Sequence, residues 1–228
     1  MREKSEAVFV IVRAYNEANV IRNVVGKLCE HFDHIVVVDD GSRDSTAACL
    51  RGLNVTLIRH CVNLGGGAAL QTGITYALSQ GAEWILTFDA DGQHRIEDAS
   101  SLLNVLQSEN CDVVFGSRFL GTTVDIPTIR KLILRVARCF SNLTSGTRLT
   151  DTHNGLRGFS RTAASLLDIT QNGMAYASEI LNQLKKGNLT IREIPATIQY
   201  THYSLSKGQS SLNAINILID LVVGRLMR

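Results

Sequence analysis

Apolar positions along the first half of this chain follow two alternating rhythms. Continuous apolar, β-branched runs occur in "AVFVIV" (7–12), "HIVVVDD" (34–40), "NVTLIRH" (54–60), "EWILTFD" (83–89) and "CDVVFGS" (111–117). Between them lie segments of helical period. In 17–31, Val20, Ile21, Val24, Val25 and Leu28 fall on one face, and further helices are expected over about 68–80 and 95–109. "GSRDSTAACL" opens another helix, with Ser42 or Asp44 as its N-cap. Strands apolar on both faces, separated by amphipathic helices, predict an α/β fold: a mostly parallel sheet with helices on both faces. Ligands of such sheets bind beyond the carboxyl ends of the strands. Acids cluster in that zone, Asp39 and Asp40 after the second strand and Asp89 and Asp91 after the fourth.

From Gly121 the rhythm changes. Residues 128–143, "TIRKLILRVARCFSNL", read as a basic amphipathic helix carrying Arg130, Lys131, Arg135 and Arg138. "DTHNGLRGFSR" (151–161) reads as a loop leading into a short strand, followed by a helix near 175–187 and the strand "TIREIPATIQY" (190–200). The tail 211–227 is helical, with Asn213, Asn216 and Asp220 as a narrow polar stripe. So apolar a helix needs cover, from the core, another subunit or a membrane surface. There is no repeat or linker, so one domain followed by a C-terminal helix is expected.

Composition narrows the classes. The 228 residues are 45% hydrophobic and 19% charged, the profile of a globular protein large enough to bury a substantial core. A formal net charge of +2 argues neither for nor against nucleic acid, and no nucleic-acid partner is expected. The five cysteines form no CxxC pair, which suits reduced thiols in the cytoplasm better than disulfides or zinc. Arg2 and Lys4 before Ala7–Val12 imitate a signal peptide. The run is too short, however, and Arg13 and Glu17 follow it, so a first strand is the better reading. No stretch approaches the roughly 20 apolar residues that span a bilayer.

Asp89-Ala90-Asp91 at a strand end is compatible with a metal site, a phosphorylation switch or a polar turn. Two carboxylates there suit a small hard cation, Mg²⁺ or Mn²⁺, which leaves its other positions to water and substrate phosphates. Gly92 permits a tight turn and Gln93 offers a neutral oxygen. An EF-hand would need further acids and a late Glu, which are absent. Asp39 or Asp40 could accept hydrogen bonds from a nucleotide's base or ribose, or could belong to a turn with a helix cap. "NLGGGAALQTG" (63–73), including Gly67, can bring backbone amides to phosphates at a helix start. It lacks the GK[ST] of a Walker loop, and no GxGxxG follows strand one, which counts against ATPase and dehydrogenase readings. Arg118, after strand five, is suited to grip a phosphate. His94, His153 and His202 have no zinc-ligand spacing and read as polar loop residues.

In this order, "VIVRAYNEANVI", "IVVVDDGSRDST", "NLGGGAALQTGI", "LTFDADGQH" and "GSRF" resemble the family 2 glycosyltransferases. The likeness is greatest to the dolichyl-phosphate mannose/glucose synthase branch and its bacterial polyprenyl-phosphate relatives. It continues through "DTHNGLRGFSR", "MAYASEI", "REIPATIQY" and "YSLSKGQSSLNA", and so covers nearly the whole chain. It implies a GT-A fold over 1–210, with a nucleotide-sugar half (1–118), an acceptor half (119–210) and a C-terminal helix (211–228) for membrane or subunit contact. By this resemblance Ala14, Tyr15 and Glu17 with Asp39 hold the nucleoside, and Asp89, Asp91 and Gln93 hold the metal and diphosphate. Arg118 and Arg130 meet the acceptor's phosphate, and Lys207, Gln209 and Ser210 close over the donor. Three positions depart from the family's pattern: Arg13 stands in place of a usual proline, Gly66 of a frequent lysine, and Leu134 of a frequent serine.

The activity so implied is an inverting, metal-dependent transfer of a sugar from a UDP- or GDP-linked donor to a polyprenyl phosphate or lipid-linked glycan, in cell-surface polysaccharide biosynthesis. The expected location is the cytoplasm, in peripheral contact with the inner face of the plasma membrane. A lipid phosphate is already anionic and needs no general base. A sugar hydroxyl would need one, and Asp151 is the candidate. A non-catalytic nucleotide-sugar-binding module is the remaining alternative.

Overall fold

The computed structural model describes residues 8–108, 111–124, 148–173 and 175–200, together with Arg138, Asn142 and Tyr203. The basic segment around Arg130, the closing loop Lys207–Ser210 and the tail 211–228 lie outside the described residues, Arg138 and Asn142 excepted.

The elements follow the expected alternation. They are β1 (Val8–Ala14), α1 (Ile21–His31), β2 (His34–Asp39), α2 (Thr46–Cys49), β3 (Thr56–Arg59), α3 (Gly66–Ser79), β4 (Trp84–Asp89), α4 (Ile96–Ser108) and β5 (Val113–Ser117). Then come β6 (Thr123–Val124), β7 (Arg157–Ser160), α5 (Arg161–Ser165), α6 (Tyr176–Lys186), β8 (Ile191–Pro195) and β9 (Ile198–Gln199). The main sheet has the order β3-β2-β1-β4-β7-β5-β8, and β6 pairs with β9 in a small second sheet. Every pairing in the main sheet is parallel except those of β7, which runs antiparallel between β4 and β5.

The continuous apolar runs have a simple cause. Side chains alternate across a strand, so a strand buried on both faces needs an apolar residue at every position. In β1, Val8, Val10 and Val12 enter the core beneath α1 and α4, while Phe9 and Ile11 enter the core beneath α3, α5 and α6. The edge strand β3 departs from this, alternating between half-buried and exposed positions. The single strand expected over 190–200 is broken after Pro195 into β8 and β9. The N-cap of α2 is Ser45, with no side-chain cap bond; the expected cap Asp44 instead makes a local turn just before it, its Oδ1 accepting from the Thr46 amide at 2.9 Å. Ser42, the other expected cap, instead accepts from the amide of Asn16 at 2.8 Å.

Helix α3 lies close on the sheet because Gly73 lacks a side chain: a Cβ there would stand 2.4 Å from Ile11 Cγ2. Gly73→Ala is therefore expected to cost about 1–3 kcal/mol through overpacking. Gly26→Ala, in α1 where an added Cβ meets nothing within 4 Å, is expected to gain about 0.5–1 kcal/mol. Urea unfolding of the two variants checks both signs.

Candidate active site

The carboxyl ends of β1, β2, β4 and β5 open on one edge of the sheet. Because β7 is antiparallel, its first residue and the preceding loop 151–156 reach the same edge. Arg13 and Asp89 are register partners on the neighbouring strands β1 and β4, which places their side chains on one face. Arg13 Nη2 donates to Asp89 Oδ1 at 2.5 Å, and Nη1 donates to the Tyr176 hydroxyl at 2.6 Å. His94 Nε2 lies 3.2 Å from Asp89 Oδ2, and the His94 side chain is only 3% exposed. His94 is thus a buried partner of the first acid rather than the polar loop residue its spacing suggested. Burial alone would raise the Asp89 carboxyl, but Arg13 and His94 outweigh it and hold it far below the usual carboxylate range. For Asp91 burial comes first and the Asp89 charge second, and together they push its carboxyl up to about 6.

Asp91 Oδ1 accepts from the Gln93 amide at 3.0 Å, and no donor among the described residues is bound to its Oδ2. Among the described residues no three His, Cys, Asp or Glu side chains gather around one point. This donor set fits a divalent ion held chiefly by Asp91, with Gln93 beside it and substrate phosphates completing the shell. Asp89 could join through a remaining lone pair, next to the charge of Arg13. Ala90 is buried and spaces the two acids.

The second acidic pair divides its work. Asp40 Oδ1 accepts from the Leu64 amide (2.9 Å) and lies 2.7 Å from His60 Nδ1, and its Oδ2 accepts from the Gly65 amide (2.8 Å). Asp40 is spent on tying the Gly-rich turn to β2. Asp39, wholly buried, accepts from the Ser42 amide with Oδ1, and Arg59 Nε lies 3.1 Å from its Oδ2. That Oδ2 has no hydrogen-bond donor, so Asp39 is the acid of the pair with acceptor capacity left. The Gly-rich turn differs from the phosphate cradle its composition suggested. The Gly67 amide donates to Asn172 O at 3.1 Å, and a Cβ at Gly67 would stand 2.0 Å from Gln171 O. These glycines serve close packing, and the amides of Leu64, Gly65 and Gly67 are already occupied.

Ala14 is buried and Tyr15 is 41% exposed at the mouth of this edge. The next residue, Asn16, adopts φ +56° and clasps the β2 loop, its Oδ1 accepting from the Arg43 amide at 2.8 Å. Glu17 accepts from the Tyr203 hydroxyl at 2.8 Å, so Tyr203 reaches the loop that follows β1.

On the other side of β4, Arg118 is 9% and Asp151 2% exposed. Asp151 Oδ2 accepts from both Arg118 Nε (2.6 Å) and the Arg118 amide (3.1 Å), and Arg118 Nη1 donates to the Tyr200 hydroxyl (2.9 Å). Among the described residues no acceptor faces Nη2. Glu193 secures this loop by accepting from the amides of Thr150 and Asp151. Arg157 is buried at the start of β7, its Nε and Nη2 donating to the carbonyls of Asn154 and Thr152, while Nη1 has no acceptor. His153, also placed by its spacing as a polar loop residue, is pushed down to about 4 by burial and then by Arg157.

Sequence reasoning brought Asp39, Asp89, Asp91, Arg118 and Asp151 to this edge. It did not find Arg157, Tyr176, Tyr200, Glu193 or Tyr203, and it knew Arg13 only as a departure. A charged residue closing an apolar strand, as Arg13 and Arg157 border β1 and β7, was the signal available for two of them.

The model of glycosyl transferase family 2 matches residues 9–167. A UDP-N-acetylglucosamine–dolichyl-phosphate N-acetylglucosaminyltransferase of Methanococcus voltae is 32% identical, over 95% of this chain and 95% of its own length. A polyprenol monophosphomannose synthase of Mycolicibacterium smegmatis is 27% identical, over 91% of this chain and 83% of its own. The solved structure of glucosyl-3-phosphoglycerate synthase from Mycobacterium tuberculosis superposes with a TM-score of 0.70 at 18% identity, covering 96% of this chain and 80% of that one. The same enzyme with Mn²⁺ and UDP-glucose gives 0.66 at 18% identity, covering 94% and 78%. At that identity the likeness shows the fold, and the expected GT-A architecture is borne out.

Asp40 generates the test of this geometry. Asp40→Ala strands the Leu64 and Gly65 amides and His60, and is expected to cost about 3 kcal/mol of stability, read from urea unfolding.

Proposed function

The chain belongs to glycosyl transferase family 2 and is a glycosyltransferase, and from that premise we propose that it transfers a sugar from a nucleoside-diphosphate donor to a polyprenyl phosphate. The observation that carries this reading is the division of the sheet edge into two charged centres. Asp39, Asp89 and Asp91 flank the donor side, and the Arg118 guanidinium with its spare Nη2 stands on the other. Relatives named for dolichyl phosphate and polyprenol substrates support it. So does Leu120, 48% exposed beside Arg118, which offers apolar surface next to a phosphate-binding cation.

Tyr15 and Asp39 bind the nucleoside in this reading, with Asp39 Oδ2 accepting from base or ribose. Asp91, with Gln93, holds Mg²⁺ or Mn²⁺, which when bound neutralises charge on the departing diphosphate. Arg118 grips the acceptor's phosphate and orients one of its oxygens toward the anomeric carbon. That oxygen forms the new C–O bond as the bond to the diphosphate breaks on the opposite face. The nucleoside diphosphate leaves with the electron pair, and the anomeric configuration inverts. Asp151 holds Arg118 in place. A sugar hydroxyl acceptor with Asp151 as base is the weaker reading, because Asp151 Oδ2 already accepts twice from Arg118. Arg130 and the loop Lys207–Ser210 keep their proposed roles in acceptor binding and donor closure.

No helix among the described residues is long and apolar enough to cross a membrane. Peripheral docking on the inner face, through the basic segment and the tail, is the arrangement we favour for reaching a lipid acceptor, with a subunit interface as the tail's other use.

The test is transfer from a panel of UDP- and GDP-sugars to a short-chain polyprenyl phosphate, with polyprenol as control and with Mg²⁺, Mn²⁺ or chelator. Product is expected only with the phosphorylated lipid and a divalent ion. Asp91→Ala is expected to lower kcat by about 10³-fold. A chelator-insensitive enzyme, or a fully active Asp91→Ala, overturns the metal assignment. Equal use of polyprenol overturns the phosphate acceptor.

A further inference from the structure

We propose that Arg13 is a resident cation of the donor site, competing with the divalent ion for Asp89, so that the ion binds firmly only together with a diphosphate that takes over the guanidinium. This rests on the donor-site reading above. Both oxygens of Asp89 are engaged: Oδ1 accepts from Arg13 Nη2 at 2.5 Å and Oδ2 lies 3.2 Å from His94 Nε2. Each oxygen keeps a second lone pair, so an ion that joins there stands next to the Arg13 guanidinium and is opposed by its charge. Both partners are underused where they stand, since Arg13 Nε and His94 Nδ1 are buried with no hydrogen-bond partner. A guanidinium has five N–H donors in a fixed fork, and Arg13 has committed only two nitrogens, to Asp89 and Tyr176. Phosphate oxygens match that fork.

The surroundings place this charge at the start of α3, beside the acids of the sheet edge. A Cβ on Gly66, the first residue of α3, would lie 3.2 Å from Arg13 Nη1. The guanidinium therefore stands at the first turn of that helix, over the Tyr176 ring at 5.1 Å from its centroid. The amides of Leu64, Gly65 and Gly67 are occupied by Asp40 and Asn172, whereas Arg13 keeps N–H donors to spare at this helix start. Two of the departures noted in the sequence, at 13 and 66, meet in space, and the missing side chain at 66 makes room for the guanidinium.

A guanidinium and a divalent ion sharing one carboxylate repel each other by more than a factor of ten in affinity. A diphosphate relieves this by accepting from Arg13 while it ligates the ion. Binding of ion and nucleotide then becomes mutually reinforcing, because each removes the other's obstacle.

Mn²⁺ binding followed by electron paramagnetic resonance tests this without turnover, on the full chain, alone and with UDP or GDP. Without nucleotide, Arg13→Gln is expected to bind Mn²⁺ at least about tenfold more tightly than the unaltered protein. Arg13→Lys keeps the charge but loses the fork joining Asp89 to Tyr176, and is expected to move the same way by about threefold. It decides the question if Arg13→Gln does not fold. Nucleotide is expected to tighten Mn²⁺ on the unaltered protein about tenfold and on Arg13→Gln by much less. Unchanged or weaker Mn²⁺ binding in the variants overturns the proposal while leaving the metal reading intact. Absence of Mn²⁺ binding in every protein, with and without nucleotide, overturns both.

Discussion

An ion pair drawn between two neighbouring strands organises the working edge of this protein. Arg13 and Asp89 stand in register near the ends of β1 and β4, and each is the nearest opposite charge to the other in a part-buried setting. With side chains 16% and 31% exposed, the pair is partly screened by solvent and adds little net stability. Its packing demands spread outward. A Cβ at Gly155 would lie 1.8 Å from Asp89 Oδ2, so glycine is required there. Tyr176 stands between two guanidiniums, with Arg13 5.1 Å and Arg157 5.7 Å from its ring centroid. An edge so committed to charge has the character of a functional site rather than a stabilising one.

The antiparallel strand β7 extends that edge beyond β4. By running against β4 and β5, it delivers its N-terminal loop to the zone where the parallel strands deliver their C-terminal ones. Asp151, Asn154 and Arg157 therefore sit beside acids that lie far from them in the sequence. Thr87 donates to the Gly155 carbonyl at 2.6 Å, which locks this loop onto β4. Arg118 and Asp151, joined at 2.6 Å, then form a second charged centre on the far side of β4. The two charged centres thus share a wall, the 151–156 loop.

Much of this could be read from residues alone, for reasons of periodicity. Doubly buried strands must be apolar throughout, and helices that cover them must be amphipathic, so the alternation to Ser117 was visible. Ligand zones lie at strand ends, so Asp39, Asp89 and Asp91 drew notice before any geometry was known. Asp40 looked equivalent to Asp39, because adjacent acids differ only in which way their side chains turn. The Gly-rich turn looked like a phosphate cradle, because composition reports conformational freedom and not what an amide is bonded to. His94 looked like a loop residue, because its burial depends on Asp89 and Phe88, whose ring centroid lies 5.4 Å from its own.

What the sequence determined by itself was the class of fold, the family and the acids at the strand ends, since these follow from local pattern and motif order. Tertiary structure decided the strand order, the insertion of β7 and the partner of each charge. Those depend on register: only when β1 lies beside β4 do Arg13 and Asp89 meet, and only an antiparallel β7 brings Asp151 to Arg118. Pairing energies between distant residues are written in no local stretch, and the departures at 13 and 66 acquired a shared meaning only when folding placed them together.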